Sequence, residues 1–174
     1  SFKKSILQGR ALRYGENPHQ RGTYYGDFDA LFEQLHGKEL SYNNLVDLDA
    51  AINLVHEFEG EKAFVIIKHT NACGVATGAT VKEAYLKALQ ADTTSAFGGV
   101  LATNQTIDQA AAEEINKLFF EILIAPSFEE SALTILKSRK NRMILLQKKQ
   151  LTETKQSKSI LNGIIEQDLD LKTD

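Results

Sequence analysis

A continuous apolar run that ends in two ionisable residues constrains the fold of this chain more than any other feature. Ala63 to Ile67 carries no polar side chain, and Lys68 and His69 follow at once, before a polar stretch that closes at Gly74. Such a run is typical of a strand covered on both faces. In open α/β sheets these strands deliver polar groups to the carboxyl edge, where ligands bind. We therefore expect a loop after Lys68 and a functional site at that edge.

Helical apolar stripes lie on both sides of this run. The first predicted helix has Asn44 as its N-cap and stops before Gly60, with its apolar stripe at Leu45, Leu48, Ile52 and Val55. Three later helices begin with a capping box, in which a hydroxyl caps the helix and an acid or amide three positions on answers it. These pairs are Thr80/Glu83, Thr106/Gln109 and Ser127/Glu130. The stripe behind the second pair runs from Ile107 to Phe119.

Short β-like runs separate the later helices. They span Val100 to Thr103, Glu121 to Ala125 and Met143 to Gln147. Alternation of strands with helices predicts an α/β layer structure with a largely parallel sheet. From Lys148 the chain turns polar before the apolar run Ile160 to Ile165, which we interpret as a linker leading into a strand whose partners lie elsewhere.

Composition excludes several classes of protein. The 174 residues, 43% of them apolar, suit one domain with at most a small appendage. A formal charge of −3 gives no general attraction to nucleic acid or to an anionic membrane. Cys73 is the only cysteine, and no apolar run has the length of a membrane helix. We expect a soluble protein of the reducing cytoplasm.

Lys68 and His69 are the first candidates for chemistry. Histidine exchanges protons near neutral pH, and an adjacent lysine favours its neutral, proton-accepting form. The two side chains cannot face the same way on a regular strand, so they converge only if the strand breaks into a loop. The alternative interpretation makes Lys68 a surface charge at a strand end and His69 a hydrogen-bonded structural residue, and local pattern favours that alternative slightly.

Two other segments are weaker candidates. Ser95 to Gly99 ends in paired glycines that allow backbone amides to approach a ligand, although a tight turn or bulge is the commoner explanation. The segment Leu12 to Gln20 is dense in polar groups, and its Arg13 could fork onto a phosphate while Tyr14 adds a hydroxyl. A solvated surface turn would look the same.

A zinc deaminase site is excluded by its motif. Such a site needs H-x-E followed by P-C-x-x-C, whereas His69 is followed by Thr70 and Asn71, and Cys73 has no partner cysteine. We expect no metal, and we interpret Cys73 as a small packing residue rather than a nucleophile.

Five motifs carry a resemblance to a known family. They are LRYGENPHQ at Leu12 to Gln20, LSYNNLVD at Leu40 to Asp47, IKHTNACG at Ile67 to Gly74, SAFGG at Ser95 to Gly99 and IAPSF at Ile124 to Phe128. In this order they resemble the AICAR transformylase part of the bacterial bifunctional purine biosynthesis enzymes, which join it to an IMP cyclohydrolase domain.

The resemblance implies a fold and a domain arrangement. The fold would be a three-layer α/β/α structure of the cytidine-deaminase-like type, with a mixed or mostly parallel sheet. Residues 1–148 would form the first subdomain of the transformylase domain. Residues 149–174 would be a linker and the start of the second subdomain, which together with the cyclohydrolase domain is missing from this chain.

The resemblance also implies roles for individual residues. Transfer of a formyl group to the amino group of AICAR needs a base and a positive group for the developing oxyanion. By the family motif, His69 would be the base and Lys68 the positive group. Arg13 and Tyr14 would bind the ribotide, with Arg13 at its phosphate. Asn44, Gly98 and Glu121 match further positions of the same pocket.

The expected ligands and partners follow from the same resemblance. The co-substrate would be 10-formyltetrahydrofolate, bound mostly by the missing half, so this chain alone would be an inactive fragment of a formyltransferase. AICAR and the rest of the parent chain would be its partners, and the parent would be a homodimer. The alternative hypothesis is a non-catalytic nucleotide-binding module in which His69 only hydrogen-bonds the ribotide.

Overall fold

The computed structural model describes residues 10–11, 23–24 and 28–148 of the chain. Arg13, Tyr14, the predicted linker after Lys148 and the apolar run Ile160 to Ile165 lie outside these ranges. None of the described helices combines the length and the apolar character that a bilayer span requires.

Strands form two sheets. The described residues contain eight strands, which are β1 (Arg10–Ala11), β2 (Thr23–Tyr24), β3 (Phe32–His36), β4 (Ala63–Lys68), β5 (Asn71–Thr77), β6 (Gly99–Thr103), β7 (Phe120–Ala125) and β8 (Met143–Gln147). β1 and β2 pair with each other in antiparallel fashion. The other six form one sheet in the order β3-β8-β7-β6-β4-β5. The predicted strand from Ala63 to Lys68 and the predicted strand from Met143 to Gln147 are confirmed to the residue.

The large sheet is mixed. β6, β7 and β8 run parallel, whereas β4 is antiparallel to β6, β5 is antiparallel to β4, and β3 is antiparallel to β8. The sheet was expected to be mixed or mostly parallel, and the first alternative is confirmed. The largely parallel sheet predicted from the alternation of strands and helices is wrong, since only β6/β7 and β7/β8 pair in parallel. Because β4 runs against them, its carboxyl end lies at their amino ends, and the predicted location at the carboxyl edge of a parallel sheet is wrong.

Helices cover both faces of the sheet. They are α1 (Phe28–Leu31), α2 (Tyr42–His56), α3 (Val81–Ala91), α4 (Thr93–Ala96), α5 (Gln109–Ile115) and α6 (Glu130–Leu136). α2 packs on one face, where it meets the β4 side chains Ala63, Val65 and Ile67. α3, α5 and α6 pack on the other face, against Phe64 and Ile66. The three-layer α/β/α architecture is confirmed, and burial of β4 on both faces explains its unbroken apolar sequence.

Two predicted helix starts need correction. α2 is capped by Ser41, and Asn44 is the third helical residue rather than the N-cap. α5 is capped by Asp108, whose carboxylate accepts the Ala111 amide at 2.9 Å. Aspartate thus replaces the predicted Thr106, since an ionised acceptor satisfies a free amide of the first turn well.

Two further corrections concern α6 and the end of α5. α6 starts behind Glu129 without a side-chain cap, so the predicted Ser127/Glu130 box is wrong. α5 ends at Ile115, and Phe119 therefore leaves the predicted stripe and is 54% exposed. The Thr80 cap of α3 is confirmed, because its hydroxyl accepts the Glu83 amide at 3.1 Å.

The segment after Lys68 is the largest departure from expectation. Asn71–Thr77 is not a loop but strand β5, which pairs with β4 through a two-residue turn. β5 is the edge of the sheet, and only one of its seven residues is buried. An edge strand needs no continuous apolar sequence, and this explains why the polar start of β5 resembled a loop.

Candidate functional site

The turn between β4 and β5 presents His69. His69 and Thr70 both have left-handed backbones, with φ of 52° and 64°. This is the geometry of two-residue hairpin turns, which normally contain Asn-Gly. The Asp47 carboxylate on α2 accepts the Thr70 amide at 2.8 Å. The side chain of His69 is exposed, so the turn carries the imidazole to the surface of the sheet edge.

Lys68 ends β4, and its ammonium reaches the segment between α4 and β6. Its Nζ donates to the Phe97 carbonyl at 2.6 Å. Gly98 follows with a φ of 78°, and its amide donates to the Phe119 carbonyl at 2.8 Å. A Cβ at Gly98 would lie 3.9 Å from the Lys68 Nζ and 3.6 Å from the Phe119 ring. Glycine therefore supplies both the backbone conformation and the space beside the ammonium.

The first turn of α2 lines the same cavity. The Ser41 amide donates to Asn44 Oδ1 at 2.8 Å, and the Asn44 amide donates to the Ser41 hydroxyl at 3.1 Å. This reciprocal pair is a capping box that fixes the orientation of the Asn44 amide. Asn44 Nδ2 in turn donates to Glu121 Oε2 at 2.9 Å. The carboxylate at the start of β7 is thus held by the helix terminus.

These side chains line one cavity. It has a volume of about 750 Å³, and its lining includes five of the seven predicted site residues, namely Asn44, Lys68, His69, Gly98 and Glu121. Lys68 and His69, which alternate on a regular strand, reach the same cavity because the chain turns directly after Lys68. The roles that the sequence suggested for these residues remain predictions.

Sequence reasoning did not name eight of the lining residues as site residues, and three of these eight make contacts at the cavity wall. Asp47 holds the turn that carries His69. Phe97 and Phe119 stack at the cavity with ring centroids 4.8 Å apart, and both are more than half exposed. Asp47 lies three residues after Asn44 and so on the same side of α2, a spacing that could have indicated a shared site. Phe119 had no comparable sequence signal.

A second cavity adjoins the first. It has a volume of about 320 Å³ and shares Phe119 and Glu121 with its neighbour. Cations at its wall are the half-buried Lys38 and the exposed Arg139 and Lys140. The basic residues clustered between Lys137 and Arg142 could have indicated this surface from the sequence, but they belong to none of the motifs. Positive charge is therefore concentrated beside Glu121, at the amino ends of β7 and β8.

Arg142 belongs to the wall of the second cavity but is a structural residue. Only 5% of it is exposed, and its guanidinium lies 4.3 Å from the centre of the Phe120 ring. It donates to the Asn116 side chain at 2.6 Å and to the Leu136 carbonyl at 3.1 Å. Burial lowers its pKa to about 10, with a smaller contribution from the nearby Arg139. Its donors face inward, so it ties α5 and α6 to the sheet.

Cys73 does not have the surroundings of a nucleophile. It is half-buried on β5, and its Sγ lies 3.7 Å from the Ser95 carbonyl oxygen. Burial, followed by the negative charge of Asp92, raises the pKa of the thiol and keeps it protonated at neutral pH. No cluster of three or more potential metal ligands occurs within residues 28–148.

The cavity combines the groups that acyl transfer to a weak amine requires. An exposed imidazole can accept a proton, and an ammonium beside it can stabilise a negative oxygen. Asn44 and Glu121 offer polar groups in the same cavity, and two exposed phenyl rings offer an apolar surface.

A family model described as the AICARFT/IMPCHase bienzyme matches residues 1–174. The chain belongs to this family. It is 54% identical over 171 residues to the bifunctional purine biosynthesis protein PurH of Bacteroides thetaiotaomicron, and 48% identical over 179 residues to the protein of the same name from Bacillus subtilis. Each alignment covers 98% of this chain. The chain spans about a third of the length of these relatives, 34% and 35% respectively.

Proposed function

We propose that this chain is the first part of an AICAR formyltransferase, which transfers a formyl group from 10-formyltetrahydrofolate to AICAR in IMP biosynthesis. The observation that carries the proposal is the single cavity lined by Lys68, His69, Asn44, Gly98 and Glu121. Membership of the AICARFT/IMPCHase bienzyme family supports the same reaction.

His69 is the proposed general base. The 5-amino group of AICAR is conjugated with its imidazole ring and is a weak nucleophile. As its nitrogen attacks the formyl carbon, it must lose a proton, and a neutral histidine accepts it. Exposure of the His69 side chain at the cavity wall supports this role, since a bound amine can reach it.

Lys68 is the proposed stabiliser of the oxyanion. Attack converts the formyl carbonyl to a tetrahedral alkoxide, which then collapses as the N10 nitrogen of the folate leaves and takes up a proton. The products are formyl-AICAR and tetrahydrofolate. An ammonium fixed in advance lowers the energy of the alkoxide without reorganisation. The 2.6 Å hydrogen bond from Lys68 Nζ to the Phe97 carbonyl supports such a fixed position.

The remaining candidates are proposed to bind the ribotide. Arg13 would contact the phosphate and Tyr14 would donate a hydroxyl, while Asn44, Gly98 and Glu121 would contact the nucleotide. Positive charge at Lys38, Arg139 and Lys140 lies beyond Glu121 and gives that end of the site an affinity for a phosphate.

The wider organisation is part of the proposal. Residues 1–148 would be the first subdomain of the transformylase domain, and residues 149–174 would lead into the second. Most contacts to 10-formyltetrahydrofolate would come from that second subdomain, and the parent would be a cytoplasmic homodimer. The isolated chain is therefore expected to bind AICAR without measurable turnover.

The test uses a full-length chimaera in which this chain replaces the matching third of the Bacteroides thetaiotaomicron relative. Substitution of His69→Ala should lower kcat for formyl transfer by about 10²-fold or more, with AICAR binding largely kept. Glu57→Ala, an exposed carboxylate at the far end of α2, is the matched control and should leave kcat unchanged.

The same variants separate this proposal from a non-catalytic nucleotide-binding module. In such a module, His69→Ala would weaken AICAR binding while the chimaera, with or without the substitution, would show no formyl transfer. Calorimetric titration of AICAR into the 174-residue chain and into the chimaera would show how much of the pocket the chain holds. Substantial formyl transfer by the 174-residue chain alone would contradict the proposal that this chain holds only part of the active site.

A further inference from the structure

The turn that carries His69 places a β-branched residue, Thr70, in a backbone conformation that such residues disfavour. A left-handed backbone is uncommon outside glycine, and for a β-branched residue such as Thr70 it is an outlier. His69 and Thr70 adopt it consecutively, with φ of 52° and 64°. The Thr70 hydroxyl donates to the His69 carbonyl at 2.6 Å, a contact that lies within the turn. Something outside the turn must compensate for its strain.

Asp47 supplies a contact to the turn from outside it. Its Oδ1 accepts the Thr70 amide at 2.8 Å, the length of a good hydrogen bond to an ionised acceptor. Asp47 lies on α2, which is fixed by its capping box and by the buried Leu45 and Leu48. The carboxylate is therefore a rigid anchor, and the turn is tied to the helix rather than only to β4 and β5.

The imidazole of His69 depends on this anchor for its placement. Functional histidines are normally oriented by a hydrogen bond at the second ring nitrogen. Within residues 28–148 no hydrogen-bond partner of the His69 ring is found. Asp47 and the Thr70 hydroxyl form their hydrogen bonds with backbone atoms of the turn and not with the ring. The direction of the imidazole is thus set by the backbone conformation at His69 and Thr70.

We infer that Asp47 is a positioning residue for His69, which acts by holding the left-handed turn and not by contacting AICAR. The inference rests on the proposed role of His69 as the base. Asp47 also lines the cavity, so direct contact with the substrate is the competing explanation. The two make opposite predictions for a second substitution at Thr70, because glycine adopts φ near +60° without strain.

The first experiment concerns the turn alone and uses the 174-residue chain. In NMR spectra, Asp47→Ala should shift the His69 ring resonances and speed hydrogen exchange of the Thr70 amide. Asp47→Asn keeps an oxygen acceptor and should preserve both signals. Adding Thr70→Gly to Asp47→Ala should return the His69 resonances toward their original positions. Unchanged His69 resonances in folded Asp47→Ala would overturn the inference whatever the chain catalyses.

The second experiment measures formyl transfer in the full-length chimaera. Asp47→Ala should lower kcat at least about 10-fold, the usual consequence of a misplaced catalytic group, with the KM for AICAR unchanged. Asp47→Asn should retain most of kcat, and the double variant Asp47→Ala/Thr70→Gly should recover it. Recovery of kcat in the double variant separates positioning from direct contact, since glycine at residue 70 cannot replace a lost substrate ligand.

The measurements test the role of Asp47 and the proposed function separately. A raised KM for AICAR in Asp47→Ala that Thr70→Gly does not repair would make Asp47 a substrate ligand and overturn the inference. If Asp47→Ala alone does not fold, the Asp47→Asn and double variants still decide between the two explanations. An unmodified chimaera without formyl transfer would contradict the proposed function, while the NMR result for the turn would stand by itself.

Discussion

The two ends of the parallel strands use similar polar residues in opposite ways. At the carboxyl end of β6, Asn104 accepts the Ala63 amide at 3.0 Å and donates to the Glu61 carbonyl at 2.8 Å. The Thr103 hydroxyl there donates to the Ala63 carbonyl at 2.7 Å. These side chains satisfy backbone groups and close that end of the sheet. An isolated bridge between Ile107 and Phe128 closes it further.

At the amino ends the polar side chains face a cavity instead. Lys68 has one backbone partner, Glu121 is held by Asn44, and the His69 ring has no hydrogen-bond partner among residues 28–148. Ligand sites of open α/β sheets usually lie at the carboxyl ends of parallel strands. Here the antiparallel β4 brings its own carboxyl end to the opposite edge, and the candidate residues Lys68 and His69 lie there with it. The direction of one strand therefore decides at which edge of the sheet the candidate site lies.

The largest expected effect contrasts two lysines at opposite ends of β4. Lys68→Ala should lower kcat of the full-length chimaera by about 10²- to 10³-fold, since it removes the charge for the developing oxyanion. Lys62, exposed just before β4, is the matched control. Lys62→Ala should leave kcat unchanged. Steady-state kinetics with AICAR would check both, and equal losses would show that the two ends do not differ in function.

Asn104→Ala should destabilise the carboxyl end of β6, where Asn104 bonds backbone groups. The substitution leaves several buried or half-buried backbone groups without their partners, and the free energy of unfolding should fall by about 2 kcal/mol. AICAR binding should be unaffected. Asn53→Ala removes a single helix-surface contact to Asp49 and should cost less than about 0.5 kcal/mol. Urea unfolding measures both, and a loss of AICAR affinity in folded Asn104→Ala would contradict the contrast between the ends.

A pair of glycines sharpens the comparison. Gly98 and Gly60 have φ of 78° and 91°, so alanine at either position should destabilise the chain by about 1 kcal/mol. A Cβ at Gly60 would meet nothing within 4 Å, whereas at Gly98 it would approach Lys68 and Phe119. Only Gly98→Ala should weaken AICAR binding. Calorimetry and urea unfolding on both variants would test this, and similar AICAR affinities would remove Gly98 from the site.

The smallest effect lies between the two ends, at Tyr85. Its ring packs edge-on against Phe64, and its buried hydroxyl finds no partner in the described part of the chain. Tyr85→Phe should therefore keep or raise the stability at pH 7, by up to about 1 kcal/mol. Thermal unfolding would detect the change. A clear loss of stability would reveal a hydrogen bond that the hydroxyl makes in solution.

Alkaline pH provides a second test of Tyr85. Burial, reinforced by Glu114, raises its pKa to about 12. In the unfolded chain the Tyr85 hydroxyl ionises near pH 10, so between pH 10 and pH 12 the folded state binds more protons than the unfolded state. The contribution of Tyr85 to stability is present below pH 10 and is lost as the pH rises through 12. Tyr85→Phe should weaken this alkaline loss of stability.

Local sequence patterns were sufficient where one interaction dominates. Burial on both faces predicted β4, and a hydroxyl with a following glutamate predicted the start of α3. They failed where competing signals lie close together. Ser41 and Asn44 both fit an N-cap, and only the reciprocal hydrogen bonds assign the cap to Ser41. β5 was missed because an edge strand carries no apolar requirement.

The candidate site was predictable only in part. Lys68 and His69 follow from the strand pattern, and the paired glycines made Gly98 a weak candidate, whereas Asn44 and Glu121 entered as site residues through the family resemblance alone. Asp47 was missed because its partner is a backbone amide 23 residues away, a contact that no local pattern encodes. The cations beyond Glu121 join the site through the parallel pairing of β7 with β8.

The most direct test of the account is to map AICAR onto the 174-residue chain by NMR. If the amino ends of the parallel strands form the nucleotide site, saturating AICAR should shift the amides around Asn44, His69, Gly98 and Glu121, and it should leave Asn104 unmoved. Shifts that cluster at Asn104 instead, or no shifts among these amides at saturation, would contradict the account.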